Sequence, residues 1–476
     1  MTACYRRLTA CATVLLLTVM RDTGSTAAEN SSVRAAPVFD VRNYGATGNG
    51  VRLDTAPINQ AIDACARAGG GQVRFPPGRY RCGTIHLRSH VTLWLEAGAV
   101  VLGTTNLDAY QPPDVPSYMP EARWGKWHRG LIVGQGVEDV AIAGEGVIDG
   151  QKVFDPTGEE HMRGPHAVVF VDCRGFTLRD ISLRDAANYA IFFQASDDVE
   201  VRNVKITGGW DGVHFRGAPS RWCHDIKLLN CQFYTGDDSV AGRYWDNVVI
   251  SGCVLNSSCN GIRLIGPARR LLVNDCLFYG PGERPHRTGG RTNMLSGIIL
   301  QPGAWDRTEG LLDDVLLANN TMRDVASPVT IWTKPGNPVG RITIAGLNAT
   351  GIYRSALSVE SWSEVPITNV VVRNAALEFS GGGKPDPTQL PVRKPGVDAR
   401  PLPSWGVYAR NVEQLTLEDV RLSLERDDLR PVIMAENVRQ LDLDHVRFPH
   451  VSGVPEPLVT TNVGAVRLQE TKLKNE

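Results

Sequence analysis

The sequence predicts an all-β fold: one parallel β-solenoid with a short helix over its N-terminal end. Three observations carry that expectation. A motif of the form Val/Ile-x-Val/Ile/Leu-x-Asn/Gly/Asp recurs, and its cleanest copies, from Val199, Ile226, Val248 and Leu271, lie 22 to 27 residues apart. Each copy holds apolar runs of three to five residues divided by turns, the length of strands and too short for helices. The spacing is also too short for a propeller blade, whereas stacked coils let each copy complete its neighbour's core. Equivalent Val, Ile and Leu then stack about 4.8 Å apart. The alternative architecture is an antiparallel β-sandwich.

The chain has 476 residues, a formal net charge of −1 and 48 glycines. The length allows a large core, and the regular repeat favours one elongated domain over several. Near-neutral charge gives no long-range field for nucleic acid or an anionic membrane, so neither is an expected partner. Residues 1–28 read as a secretory signal. Arg6 and Arg7 precede an apolar run from Leu8 to Met20, and the small residues Ser25 to Ala28 offer a cleavage site. That run is short for a membrane span. A polar linker, 29–37, leads into the β-domain, 38–476. The expected product is a secreted or periplasmic monomer without a membrane span.

The helix is expected after Asp54 or Thr55, with Pro57 in its first turn and apolar residues at Ile58, Ala61, Ile62 and Cys65, ending at Gly69-Gly70-Gly71. Covering the open end protects a sheet edge that would otherwise invite association. Gln72 to Phe75 opens the strands, and Val91 to Leu102 gives two more. Further copies begin around Val140, Phe176, Val315, Ile342, Val370, Leu415 and Leu441. Insertions at Ala109–Arg129, Pro156–Gly164, Pro281–Met294 and Gly382–Pro403 are expected as loops. The first carries Tyr110, Tyr118, Trp124, Trp127 and His128, and is a candidate lid.

Cys231, Cys253 and Cys276 each fall three residues past the second apolar position of a copy, so they are expected as an interior row of packed thiols. Cys65 with Cys82 is a better disulfide candidate. No CxxC or Cys/His cluster has zinc spacing, so no metal and no cofactor are expected.

Ten residues past the second apolar position of successive copies stand Asn188, Asp211, Asp238 and Asn260, with Asp237 beside Asp238. One coil per copy aligns these polar groups along one face. Alternation then points Val213, Val240 and Ile262 inward and turns His214 and Arg263 outward. Crowded carboxylates cannot all ionise easily, so one should keep its proton. An acid beside a carboxylate base is the pairing glycoside hydrolysis uses. A single Asp at a solenoid turn more often binds backbone amides; the Gly236-Asp237-Asp238 triplet aligned with Asp211 favours chemistry.

These residues resemble glycoside hydrolase family 28, the polygalacturonase-like enzymes. The similarity runs through Phe39–Gly50, Gly71–Tyr80, Gly144–Gly150 and above all Gly236-Asp237-Asp238. It implies a right-handed parallel β-helix and inverting hydrolysis of pectic bonds, with Asp237 as general acid and Asp211 and Asp238 activating water. It also implies a polysaccharide or oligosaccharide partner. The chain departs from the family at three motifs. Gly209-Trp210-Asp211 stands for Asn-Thr-Asp, Cys259-Asn260-Gly261 for Gly-His-Gly, and Ile299-Leu300-Gln301 for Arg-Ile-Lys. The lost basic residues bind the galacturonate carboxylate in polygalacturonases, so another sugar or linkage is expected, acidic or rhamnose-containing. Candidate substrate contacts are Asn188, His214, Asn260, Arg263 and Gln301, with Arg263 able to take over a carboxylate. Trp124, Trp127, Trp305, Trp332 and Trp362 are candidate sugar platforms. A β-helical lyase or epimerase, and a non-catalytic carbohydrate-binding solenoid, are the alternatives.

Overall fold

The computed structural model describes residues 36–473 apart from 115, 120–128 and 455. The expected signal segment, nearly all of the linker, and Trp124, Trp127 and His128 of the candidate lid lie outside the described residues.

The backbone winds through three parallel ladders in turn. One coil runs Asp197–Arg202 in the first ladder, Lys205–Thr207 in the second and Val213–Arg216 in the third. The next repeats this as Cys223–Leu229, Gln232–Thr235 and Val240–Arg243. The register matches the sequence period: Val201 pairs with Leu228, Leu228 with Ile250, and Ile250 with Val273. In the third ladder Val213, Val240, Ile262 and Ile298 stack in succession. All are buried, so each coil covers the apolar row of its neighbour.

The last position of the motif has a backbone cause. Asn203, Asn230 and Asp275 turn the chain from the first ladder into the second at φ 54°, 53° and 55°, and Gly252 does so at 63°. This left-handed conformation suits Asn, Asp and Gly and penalises most other residues. The residue after each turn falls inward, which buries Cys231, Cys253 and Cys276 as free thiols in one row. Cys65 and Cys82 are also free and buried, so the disulfide expected there is not formed. Cys65 faces the core from the helix, and the Cys82 thiol contacts the Tyr80 carbonyl.

The helix spans Thr55–Arg67 and buries Pro57, Ile58, Ala61, Ile62 and Cys65 against the first coils. Asp54 precedes it without capping it. The Asp54 carboxylate accepts instead from the backbone of Thr47 and Gly48 and from the Thr47 hydroxyl, which ties the opening loop to the helix start. Among the described residues no helix is long and apolar enough to cross a membrane.

Candidate active site

The turn from the second ladder into the third carries Asp211, Asp237 and Asp238, and the outer face of the third ladder forms the groove beneath them. Asp211 and Asp238 precede Val213 and Val240, which are paired, so the two carboxylates stand one rung apart. Asp237 projects beside Asp238, and an oxygen of each lies within 4.8 Å of the other and of the Cys259 sulfur. All three acids line one groove with Tyr189, His214, Arg216 and Trp305. Their side chains retain only 5%, 14% and 5% of their exposure, in sequence order, and charged neighbours surround them.

Those neighbours divide the acids. Burial pushes the Asp211 carboxyl well above the usual carboxylate range, and the charges of Asp237 and Asp238 add to it. Burial and Asp237 likewise raise Asp238 against the opposing pull of Arg263. Asp237 goes the other way. Burial would raise it, but the nearby His286 ring and the Arg163 charge outweigh that and hold it below its ordinary range. The Arg163 guanidinium lies 3.4 Å from the Asp237 carboxylate and the His286 Nε2 3.7 Å from it. The Nδ1 of His286 accepts from the Gly289 amide at 3.0 Å. A backbone N–H can only donate, so the ring proton of a neutral His286 sits on Nε2, the nitrogen turned to Asp237.

Asp211 and His214 touch at 2.7 Å through the His214 Nδ1. Burial and the charges of Arg216, Arg243 and Arg163 push His214 well below its usual range. With the acid raised and the base lowered, both shifts favour the neutral forms and weaken the ion-pair character of this contact. Tyr189 stacks on the His214 ring, centroids 4.5 Å apart and 5° from parallel, which fixes the ring plane.

Other expected contacts sit elsewhere. Asn260 lies behind the groove wall, fully buried, where its side-chain and backbone N–H groups donate to Asp238 at 2.8 and 3.1 Å. It orients that acid and does not line the groove. Asn188 falls one residue out of step, because Ile191 pairs with Val213 and so Tyr189 takes the register of Asp211. The Asn188 side chain is buried and accepts from Arg163 at 3.4 Å. Gln301 is also fully buried outside the groove lining. Arg263 does reach the groove, already held between Asp238 at 3.4 Å and Asp398 at 2.8 Å. Of the expected tryptophans, Trp305 lines the groove, Trp332 is 1% exposed, and Trp362 packs beneath Arg400 and Arg410.

Several groove residues were not singled out by the sequence: Glu160, Arg163, Tyr189, Arg216, His286, Arg291 and Asp398. Most come from the insertions, and a positional signal unites those. Each insertion interrupts the same turn of the coil, between a second-ladder strand and a third-ladder strand. Residues 150–165 lie between Val147–Asp149 and His166–Val171, and 280–295 between Leu277–Tyr279 and Ser296–Leu300. The third separates Ile367–Phe379 from Val407–Leu424. Arg163 from the first insertion stacks on Trp210, its guanidinium carbon 3.7 Å from the ring centre. The third is pinned by Arg400, which donates twice to the buried Glu360 at 2.9 and 2.7 Å.

Among the described residues, Asp237, Asp238 and Cys259 are the metal-ligating types that converge. Arg163 and Arg263 already neutralise those carboxylates, and Arg291 donates to the Cys259 sulfur at 3.1 Å. Positive charge in that space opposes a dication and suits a cluster that exchanges protons.

A β-solenoid with carboxylates gathered on one outer ladder is the class that fold and groove define. A family model described as Glycosyl hydrolases family 28 matches residues 78–264, the coils that carry all three acids. It is 27% identical over 425 residues to the exo-poly-alpha-D-galacturonosidase of Dickeya chrysanthemi, covering 73% of this chain and 65% of that protein. It thus spans just under two thirds of that relative's length. It is 29% identical over 185 residues to plasmin and fibronectin-binding protein A of Streptococcus pneumoniae, 36% of this chain and 24% of that one. In fold it resembles the hyperthermoactive exopolygalacturonase of Thermotoga maritima, with a TM-score of 0.61 at 18% identity over 82% of this chain and 93% of that one. The fold is the right-handed parallel β-helix.

Proposed function

We propose that this protein is an exported glycoside hydrolase that cleaves pectic or related acidic or rhamnose-containing polysaccharide, with a specificity unlike that of an ordinary polygalacturonase. The observation that carries the reading is the gathering of Asp211, Asp237 and Asp238 in one groove, two of them within 4.8 Å. Asp237 is the proposed proton donor to the leaving oxygen, and Asp211 and Asp238 the groups that activate water. The family-model match and the galacturonosidase likeness support the pectic substrate class; the replacement of the family's basic triplet by Ile299-Leu300-Gln301 supports altered specificity.

The protonation order of the free groove runs opposite to these roles, since Asp237 is held low and Asp211 and Asp238 are raised. The reaction therefore needs one proton to cross the cluster once sugar is bound. The Asp237–Asp238 approach is also tighter than the ~6.5–9.5 Å that leaves room for water between the acid and base of inverting enzymes. Digestion of defined pectic oligosaccharides, with the released sugar and its anomeric form followed by NMR, tests both points. Release of the α-product from an α-linked substrate would sink inversion, and no release from any pectic or rhamnose-containing oligosaccharide would sink the activity.

The likeness to the streptococcal binding protein favours a second reading, a non-catalytic carbohydrate-binding solenoid. Tight glycan binding with no new reducing ends would favour it over hydrolysis.

A further inference from the structure

Four arginines line the groove, and three have an answering group. Arg163 faces Glu159, Glu160 and Asp237; Arg263 faces Asp238 and Asp398; Arg291 donates to the Cys259 sulfur. Arg216 is different. It is 7% exposed, its guanidinium makes no ion pair or hydrogen bond among the described residues, and its Nε is sealed from solvent without a partner. The rungs on either side do not answer it. Arg243, in register with it, is a second cation committed to Asp306. Gln194, in register on the other side, is 1% exposed and has both side-chain amide atoms unpartnered. The Phe192 ring lies 5.6 Å from the guanidinium carbon. A largely buried cation without an anion is costly, and Arg216, unlike Gln194, lines the groove. A carboxylate fits: it takes paired N–H donors from a guanidinium.

We propose that Arg216 holds the carboxylate of an acidic sugar unit of the substrate. This moves the anion site from the triplet Ile299-Leu300-Gln301, which is now buried, to the strand Val213–Arg216 on the coil that carries Asp211. The inference rests on the proposed function in one respect, that the ligand in this groove is an acidic sugar. Its ligand is told from a neutral sugar by charge alone, since the rest of the groove would meet the same ring.

The test is calorimetric binding to the Asp237→Asn protein, which needs no turnover. Digalacturonate and its methyl ester serve as probes, with Arg216→Met and Arg216→Lys added to the Asp237→Asn background. Digalacturonate should bind more tightly than the ester. Arg216→Met should weaken digalacturonate by about 10- to 100-fold, the range for one charge-assisted contact, and leave the ester unchanged. Arg216→Lys should recover part of the loss. Thermal melts give a second readout: digalacturonate should raise the melting point of the Asp237→Asn protein and not that of its Arg216→Met version. Equal binding of acid and ester, no binding of either, or an equal loss of both on Arg216→Met would overturn the inference. Hydrolysis assays on the native chain are scored separately. Selective binding without turnover leaves the anion site standing and removes the hydrolase; turnover with equal affinity for acid and ester does the reverse.

Discussion

The two faces of the third ladder obey different rules. Inward, one residue type repeats: Ile191, Val213, Val240, Ile262 and Ile298 stack in register. Outward, on the same strands, the succession is Phe192, His214, Ala241, Arg263 and Ile299, and no two adjacent rungs agree. The backbone is nearly the same in each coil, so the difference comes from what each face meets. The interior meets its own copies and must fill a constant space. The exterior meets solvent, loops and ligand, and each rung is free to carry its own chemistry.

The sharpest way to break that contrast is to change one residue on each face. Asp237→Asn should lower turnover of the substrate by about 10²- to 10⁴-fold, the usual share of general acid–base catalysis, and should lower the thermal midpoint at neutral pH, because a carboxyl held low on folding stabilises the folded chain there. Initial rates and a melting curve check both halves. Phe215→Ala, on the inner face, should cost about 3–5 kcal/mol of stability. Activity per folded molecule should survive, as denaturant titration beside active-site counting would reveal.

Two smaller effects sharpen the account of the acids. His286→Ala removes the ring, 3.7 Å away, that helps hold Asp237 low. The Asp237 carboxyl should then keep its proton to higher pH, and the limb of the kcat/KM profile that reports it should move upward by about one pH unit. Asp211→Asn should affect stability with a definite sign. The Asp211 pKa is raised on folding, so stability from that group is present below the unfolded value, about 3.9, and falls as pH rises towards the folded value. Replacing it by Asn should therefore raise the thermal midpoint at neutral pH, with the gain shrinking below about pH 4. A gain of equal size at both pH values would contradict a buried, protonated Asp211.

Much of this was legible along the chain. The coil length placed Asp211, Asp238 and Asn260 in one register, because stacked parallel strands convert a constant sequence interval into a constant position. The same rule failed at Asn188, where the coil is longer by one residue between the second and third ladders and Tyr189 takes the place instead. The insertions were visible as loops, but their destination was not. Pro281–Met294 reads as a polar, proline-rich excursion, and nothing local says that His286 folds back to Asp237. Their shared position in the coil held the clue, since loops that leave one turn of a solenoid rise over one face. Asn260 and Arg263 illustrate a further gap: outward alternation was read correctly for Arg263, yet its carboxylate neighbours come from Asp238 and from Asp398, 135 residues further along.

By itself, then, the sequence determined the winding, the interior rows, the left-handed turns at Asn203, Asn230, Gly252 and Asp275, and the three acids that share a groove. These depend on period and on local backbone preference, both of which are written in consecutive residues. The tertiary structure alone decided which acid is held ionised, which basic groups surround it, and that Arg216 is left without an anion. Those properties arise from burial and from charges brought together across distant loops, and electrostatic energy depends on distance in space and not on separation along the chain.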